Sequence, residues 1–132
     1  MSNRIISICA AGLICAGCAF TQDIDTSKLE LPALESTDYI VEYEGYISSY
    51  NVLTKTPEWV AYELTKDETY GDAVRDGKFF SPDERVLLPQ PDDYDYRGSG
   101  WTRGHLAPAA DFRWSDDAMW DTFHFTNCCP QD

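Results

Sequence analysis

The sequence predicts an α+β domain, an antiparallel sheet with short helices. Three observations carry this. Between Tyr39 and Leu64 three β-rich stretches follow one another closely. The good helix starts, after Ser81 and at Ser115, introduce only brief apolar periods. A chain of 132 residues, 43% apolar and 14% aromatic, allows one domain and can fill a core.

Taken in order, Met1–Cys18 reads as a targeting segment: Arg4 supplies positive charge, and Ile5 to Ala16 is a mostly apolar run. That run is too short to span a bilayer as a helix. Ala16-Gly17 then precede Cys18, a pattern that resembles a bacterial lipoprotein signal with Cys18 as the acylated first residue. Cys15 stands where a Leu is usual, and a plain secretory peptide cleaved near Ala19 is the alternative. Either way the expectation is export from a bacterial cell, anchored to a membrane through Cys18 or secreted. Residues 19–37 are polar and acidic, contain Pro32, and read as a linker to a domain over residues 38–132.

Tyr39 to Glu44 alternates as a strand with Tyr39, Val41 and Tyr43 on one face, and Gly45 interrupts it. Tyr46 to Leu53 is a second strand, and Thr54 to Glu58 a turn. Trp59 to Leu64, nearly all apolar or aromatic, predicts a central strand covered on both faces. Thr65 to Arg85 is charged and broken by Gly71 and Gly77, so it predicts loop with at most one helical turn after Ser81. Pro89 to Asp95 is an acidic loop whose Asp92, Asp93 and Asp95 read as solvated rather than as a metal cluster.

The stretch from Asp95 to Asp111 carries the chemistry. Its centre, Arg103-Gly104-His105, pairs a fixed cation with the side chain whose ordinary pKa suits proton transfer near neutrality. On extended chain the two side chains share a face. Both can then address one phosphate, Arg103 holding an oxygen and His105 activating water. The plain alternative is an ion pair for Arg103 and a buried hydrogen bond for His105. Downstream, Ser115 is a good N-cap with Asp116 and Asp117 in the first turn, and Met119 and Phe123 share a face. His124 reads as structural in an extended Phe123-His124-Phe125. Cys128 and Cys129 read as small apolar residues of a buried strand or as partners for a cysteine elsewhere. No four-ligand zinc pattern is present.

The string Ser-Gly-Trp-Thr-Arg-Gly-His-Leu-Ala-Pro-Ala-Ala-Asp-Phe (Ser99 to Phe112) is followed by Ala118-Met119, Thr122-Phe123, Thr126-Asn127 and Pro130-Gln131. Together with Tyr50-Asn51 and Pro57 to Tyr62 upstream, it resembles the DNA/RNA non-specific endonucleases, over roughly Tyr39 to Gln131. The resemblance implies the ββα-metal (His-Me finger) fold and hydrolysis of DNA and RNA with Mg2+ or another divalent cation. It implies His105 as general base, water as nucleophile and Arg103 steadying phosphate charge, with the metal at the leaving oxygen. Thr102 stands where the family signature has Asp, and Asn127 matches a supporting position. The family's metal-binding Asn follows Pro-Gln by a few residues on the helix that completes the ββα unit. That position lies beyond Asp132, so the expectation is a domain lacking its C-terminal part, impaired in cleavage, with Phe123, Phe125 and the Trp59 strand left uncovered.

Charge opposes this reading. Ten Lys and Arg stand against 23 Asp and Glu, a net charge of −13, whereas non-specific nucleic-acid binders use basic surfaces. Local cations at Arg97, Arg103 and Arg113 must then do the work. The rival class is an inactive nuclease-like surface lipoprotein that binds nucleic acid or a protein partner.

Overall fold

Backbone pairing begins where the β-formers begin. The structure, a computed structural model, describes residues 31–35 and 37–132, so the Met1–Cys18 segment and most of the linker lie outside the described residues. Strands β1 (Tyr39–Glu42), β2 (Ile47–Asn51) and β3 (Thr56–Ala61) form an antiparallel sheet in the order β1-β2-β3. The turn into β3 is built by Asn51, whose side-chain oxygen accepts from the backbone N–H groups of Leu53 and Thr54 at 2.9 and 3.2 Å. Lys55 completes it at φ 54°.

The expected central strand over Trp59–Leu64 is corrected on two counts. It runs over Thr56–Ala61, and it is an edge, half-exposed along much of its length. The centre belongs to β2, which buries Ser48 and Ser49. Small side chains let the neighbouring layer approach, and the Ser48 hydroxyl donates to the Thr126 carbonyl at 3.4 Å. Apolar content alone therefore misplaced the centre, because a hydrogen-bonded serine is cheap to bury.

A second, two-stranded sheet pairs β4 (Thr102–His105) with β5 (Cys128–Gln131), setting His105 opposite Cys128 and Arg103 opposite Pro130. Both cysteines are free, Cys128 buried and Cys129 half-buried. Between the sheets lies a core that includes Tyr43, Tyr46, Phe112, Met119 and Phe123. Phe123 and Phe125, expected to be uncovered, are 3% and 1% exposed.

Helix α2 (Asp116–Asp121) starts as its sequence dictates, with the Ser115 hydroxyl accepting from the Ala118 N–H at 3.2 Å. A shorter helix, α1 (Asp93–Tyr96), replaces the end of the expected acidic loop. Its cause is a capping box: the Asp92 carboxylate accepts from the Tyr94 and Asp95 N–H groups, and Asp95 answers on the Asp92 N–H. The acidic run is thus a helix cap. The stretch after Ser81 is loop without a helical turn, within the expectation of at most one. Ser81 bridges to the chain around His124, donating to the Phe123 carbonyl at 3.0 Å and accepting from the Phe125 N–H at 2.9 Å. A 3-10 turn falls earlier, at Asp67–Thr69. Another, Phe125–Asn127, replaces extended chain after His124.

Candidate active site

Strand β4 presents Arg103 and His105 on extended chain, as the sequence predicts. Gly104 between them has no side chain where Gln131 crosses; a Cβ there would lie 1.8 Å from the Gln131 Cδ. Gln131 in turn donates from Nε2 to the His105 carbonyl at 3.3 Å. The hairpin's far end is tied by Thr102, whose hydroxyl donates to the Gln131 carbonyl at 2.9 Å.

The His105 ring is held by aromatics, with the Phe80 centroid at 4.5 Å and Phe123 edge-on at 4.8 Å. Its Nε2 is buried and has no hydrogen-bond partner. Burial first, and then the Arg75 charge, push its pKa down to about 4. The imidazole is therefore neutral at physiological pH and free to take a proton. A lowered pKa on an imidazole that lines a cleft makes His105 a candidate for proton transfer. His124 also buries an orphaned nitrogen, but its ring stacks on Tyr43 at 6.1 Å and lines no cleft described here. Its Nε2 lies 3.7 Å from an Asp121 carboxylate oxygen.

The plain alternative was half right. Arg103 does form an ion pair, with Asp93 at the start of α1, while His105 forms no ring hydrogen bond. Asn127 is fully buried behind the site. Its side-chain oxygen accepts from the Ala107 N–H at 2.8 Å, and its amide donates to the carbonyls of Ala107 and Thr122 at 3.0 and 2.8 Å. It thereby fixes the chain two residues after His105.

His105 opens onto a cleft of about 400 Å³ lined by Arg75, Pro108, Arg113 and Met119 among others. Two cations and one acid, Asp76, thus line the cleft beside the imidazole, a local excess of one positive charge in an acidic protein. Arg75 was missed in the sequence. It sits in a charged stretch with no period, and only a sign contrast with Asp72 and Asp76 hinted at it. Its guanidinium lies over the Phe123 ring, 5.9 Å from the centroid.

The loop carrying Arg75 is docked on Arg113, which donates from Nη2 to the Gly71 carbonyl at 3.0 Å and accepts at its carbonyl from the Ala73 N–H at 3.2 Å. A Cβ on Gly71 would sit 1.8 Å from the Arg113 carbonyl oxygen, which is backbone and cannot swing away. Gly71→Ala is accordingly expected to undock this loop at a cost of about 2 kcal/mol. A thermal melt lowered by several degrees would show it; an unchanged melt would mean the loop is not held here.

Among the described residues no group of three or more His, Cys, Asp or Glu is gathered to hold a metal ion. Asn127 spends its carboxamide on the backbone, and Asp111 accepts from the Tyr62 hydroxyl at 2.9 Å.

Comparison with known proteins agrees with this geometry. Residues 27–132 match the model of the DNA/RNA non-specific endonucleases. The mitochondrial nuclease EXOG of Xenopus laevis is 40% identical over 91 residues, 68% of this chain and 25% of that protein. Human mitochondrial Endonuclease G is 38% identical over 108 residues, 81% of this chain and 35% of its own. The mitochondrial nuclease of Saccharomyces cerevisiae is 42% identical over 94 residues, 67% of this chain and 27% of its own. A solved EndoG/EndoGI complex superposes with a TM-score of 0.70 at 30% identity, covering 76% of this chain and 41% of that one. The chain thus spans well under half the length of these relatives.

The α+β class and the ββα-metal nuclease fold hold. The expectation of export from a bacterial cell, with a lipid anchor on Cys18 or secretion, does not. The relatives are mitochondrial nucleases of animals and fungi, and a short charged-then-apolar start does not distinguish one membrane-directed route from another. Ordered motifs across the domain, the backbone superposition and the family match lead to one statement: this chain belongs to the DNA/RNA non-specific endonuclease family.

Proposed function

We propose that this chain contributes the proton-transfer and phosphate-binding half of a nuclease that hydrolyses phosphodiester bonds of DNA and RNA. The observation that carries the reading is His105, neutral at physiological pH and lining a cleft that Arg75 and Arg113 also line. The imidazole takes a proton from water, and the water oxygen attacks phosphorus as the bond to the leaving oxygen breaks. Arg75 and Arg113 hold the phosphate oxygens at the mouth of the cleft. Arg103 lies two residues before His105 on the same face of the strand and joins them when phosphate competes with Asp93. The family resemblance implies a divalent cation, Mg2+ among the candidates. No step is assigned to it.

The test fuses the 132-residue chain to the segment that follows the matched region in human Endonuclease G and assays plasmid DNA and RNA in magnesium. Cleavage by the fusion that His105→Ala removes supports the reading. A folded fusion that binds nucleic acid without cutting it would favour the rival binding-protein reading.

The pH profile gives a second check. Because the folded pKa of His105 is depressed from 6.5 to about 4, the base stays neutral at pH 5, where an ordinary histidine is mostly protonated. The acid limb of kcat/KM is expected near 4; a limb at the ordinary value would mean that His105 titrates in open solvent. Stability follows the same sign. The contribution of neutral His105 is whole above 6.5 and is lost as pH falls from 6.5 towards 4, because the unfolded chain takes the proton first.

A further inference from the structure

One aromatic beside the site is left without cover. Trp101, immediately before β4, is 55% exposed, although a ring of this size normally buries most of its surface. It stands one residue before the strand and shares a pocket with Pro130, the residue opposite Arg103. Beside it lies a pocket of about 200 Å³ lined by Lys55, Pro91, Tyr96, Trp101 and Pro130 among others. Pro130 stands opposite Arg103 in the hairpin. Tyr96 accepts at its hydroxyl from the Cys128 thiol at 3.5 Å, and Cys128 stands opposite His105. Arg103, His105, Cys128 and Pro130 therefore share one face of the β4–β5 pair, and the Trp101 ring lies against its Pro130 end.

The charges around the pocket suit a polyanion better than the acidic run suggests. Asp95 faces Lys55 at 4.0 Å and Asp93 is paired with Arg103, so both carboxylates are offset by cations. Arg97 lies over the Tyr94 ring at 5.3 Å. From Trp101 to His105 is four residues of extended chain, roughly 13 Å at about 3.3 Å each. A base held at Trp101 thus belongs to a nucleotide beyond the one carrying the scissile phosphate. The pocket has room for one base and not for a base pair.

We propose that Trp101, with Tyr96, Pro91 and Pro130, forms a stacking subsite for one unpaired nucleobase of the strand being cut. The inference rests on the nuclease reading and adds a requirement to it: the base at this position must be out of its duplex. Every base has a π-face, so the subsite tolerates sequence while it selects against pairing.

The test measures binding of fluorescein-labelled oligothymidylate to the full chain in metal-free buffer, which needs no cleavage. Trp101→Ala is expected to weaken binding on the order of ten-fold, and Trp101→Phe, which keeps a ring, only slightly. An oligonucleotide whose bases are replaced by abasic sites should bind wild type and Trp101→Ala equally, and a blunt duplex should not distinguish them. Equal oligothymidylate binding by wild type and Trp101→Ala overturns the subsite, as does an equal loss for the abasic strand or the duplex. If Trp101→Ala fails to fold, Trp101→Leu against Trp101→Phe makes the same comparison. Failure of the nuclease reading shows separately, as absence of strand scission in the fusion whatever these affinities are.

Discussion

Replacing His105 by alanine is expected to lower kcat/KM of the fused nuclease by about two to four orders of magnitude, the usual worth of a positioned general base. The fold should survive, because no hydrogen bond of the ring is lost: Nε2 has no partner in the folded protein. What is lost is ring packing against Phe80 and Phe123, and the melt should fall by only a few degrees. Added imidazole should enter the open cleft and restore part of the rate, a response that a merely misfolded variant cannot give. Near-wild-type cleavage by His105→Ala would move the base to another group. A full loss of the thermal transition would make His105 a packing residue and leave its chemistry to the His105→Gln variant, in which a polar side chain without a base replaces the ring.

Asn127→Ala should be the most damaging change to stability. The substitution strips a donor from the Ala107 and Thr122 carbonyls and an acceptor from the Ala107 N–H, all in a site closed to water. At about 1 kcal/mol for each bond lost, and more if the orphaned groups stay dry, the cost is about 3 kcal/mol or above. That is a large share of a small domain's stability, and the melt should drop by roughly 15 °C. Asn127→Asp is expected to be as bad or worse despite its identical shape, since it turns two donated bonds into carboxylate against carbonyl and buries a charge. A melt of Asn127→Asp close to wild type would show that water reaches this site. In the fused nuclease either change should also slow cleavage, because Ala107 no longer fixes the chain that leaves His105.

Much of this protein is legible in its residues one at a time or a few together. Ser115 with two aspartates after it makes a helix start wherever it is placed, because the cap is a local hydrogen bond. The alternation from Tyr39 makes a strand for the same kind of reason, and Arg103-Gly104-His105 on extended chain announces a cation and a base on one face. The helix over Asp93–Tyr96 is also local, written in Asp92 and Asp95, although most acidic runs of this kind stay solvated loop.

Other features depend on what meets what across long stretches of chain. That β2 rather than β3 is central follows in part from Ser48, whose burial is made cheap by a partner at Thr126, some eighty positions away. That Arg75 reaches the cleft follows from Gly71 lying against the Arg113 carbonyl, which no pattern within residues 65–85 encodes. The low pKa of His105 is likewise a tertiary fact, since it comes from rings at Phe80 and Phe123 and a charge at Arg75 closing around it. The sequence by itself determined which candidate groups, Arg103 and His105, this protein carries and on which strand they lie. Only the tertiary structure decided which of them is dry, which is paired and which faces the cleft, because desolvation and ion pairing are set by neighbours in space and not by neighbours in the chain.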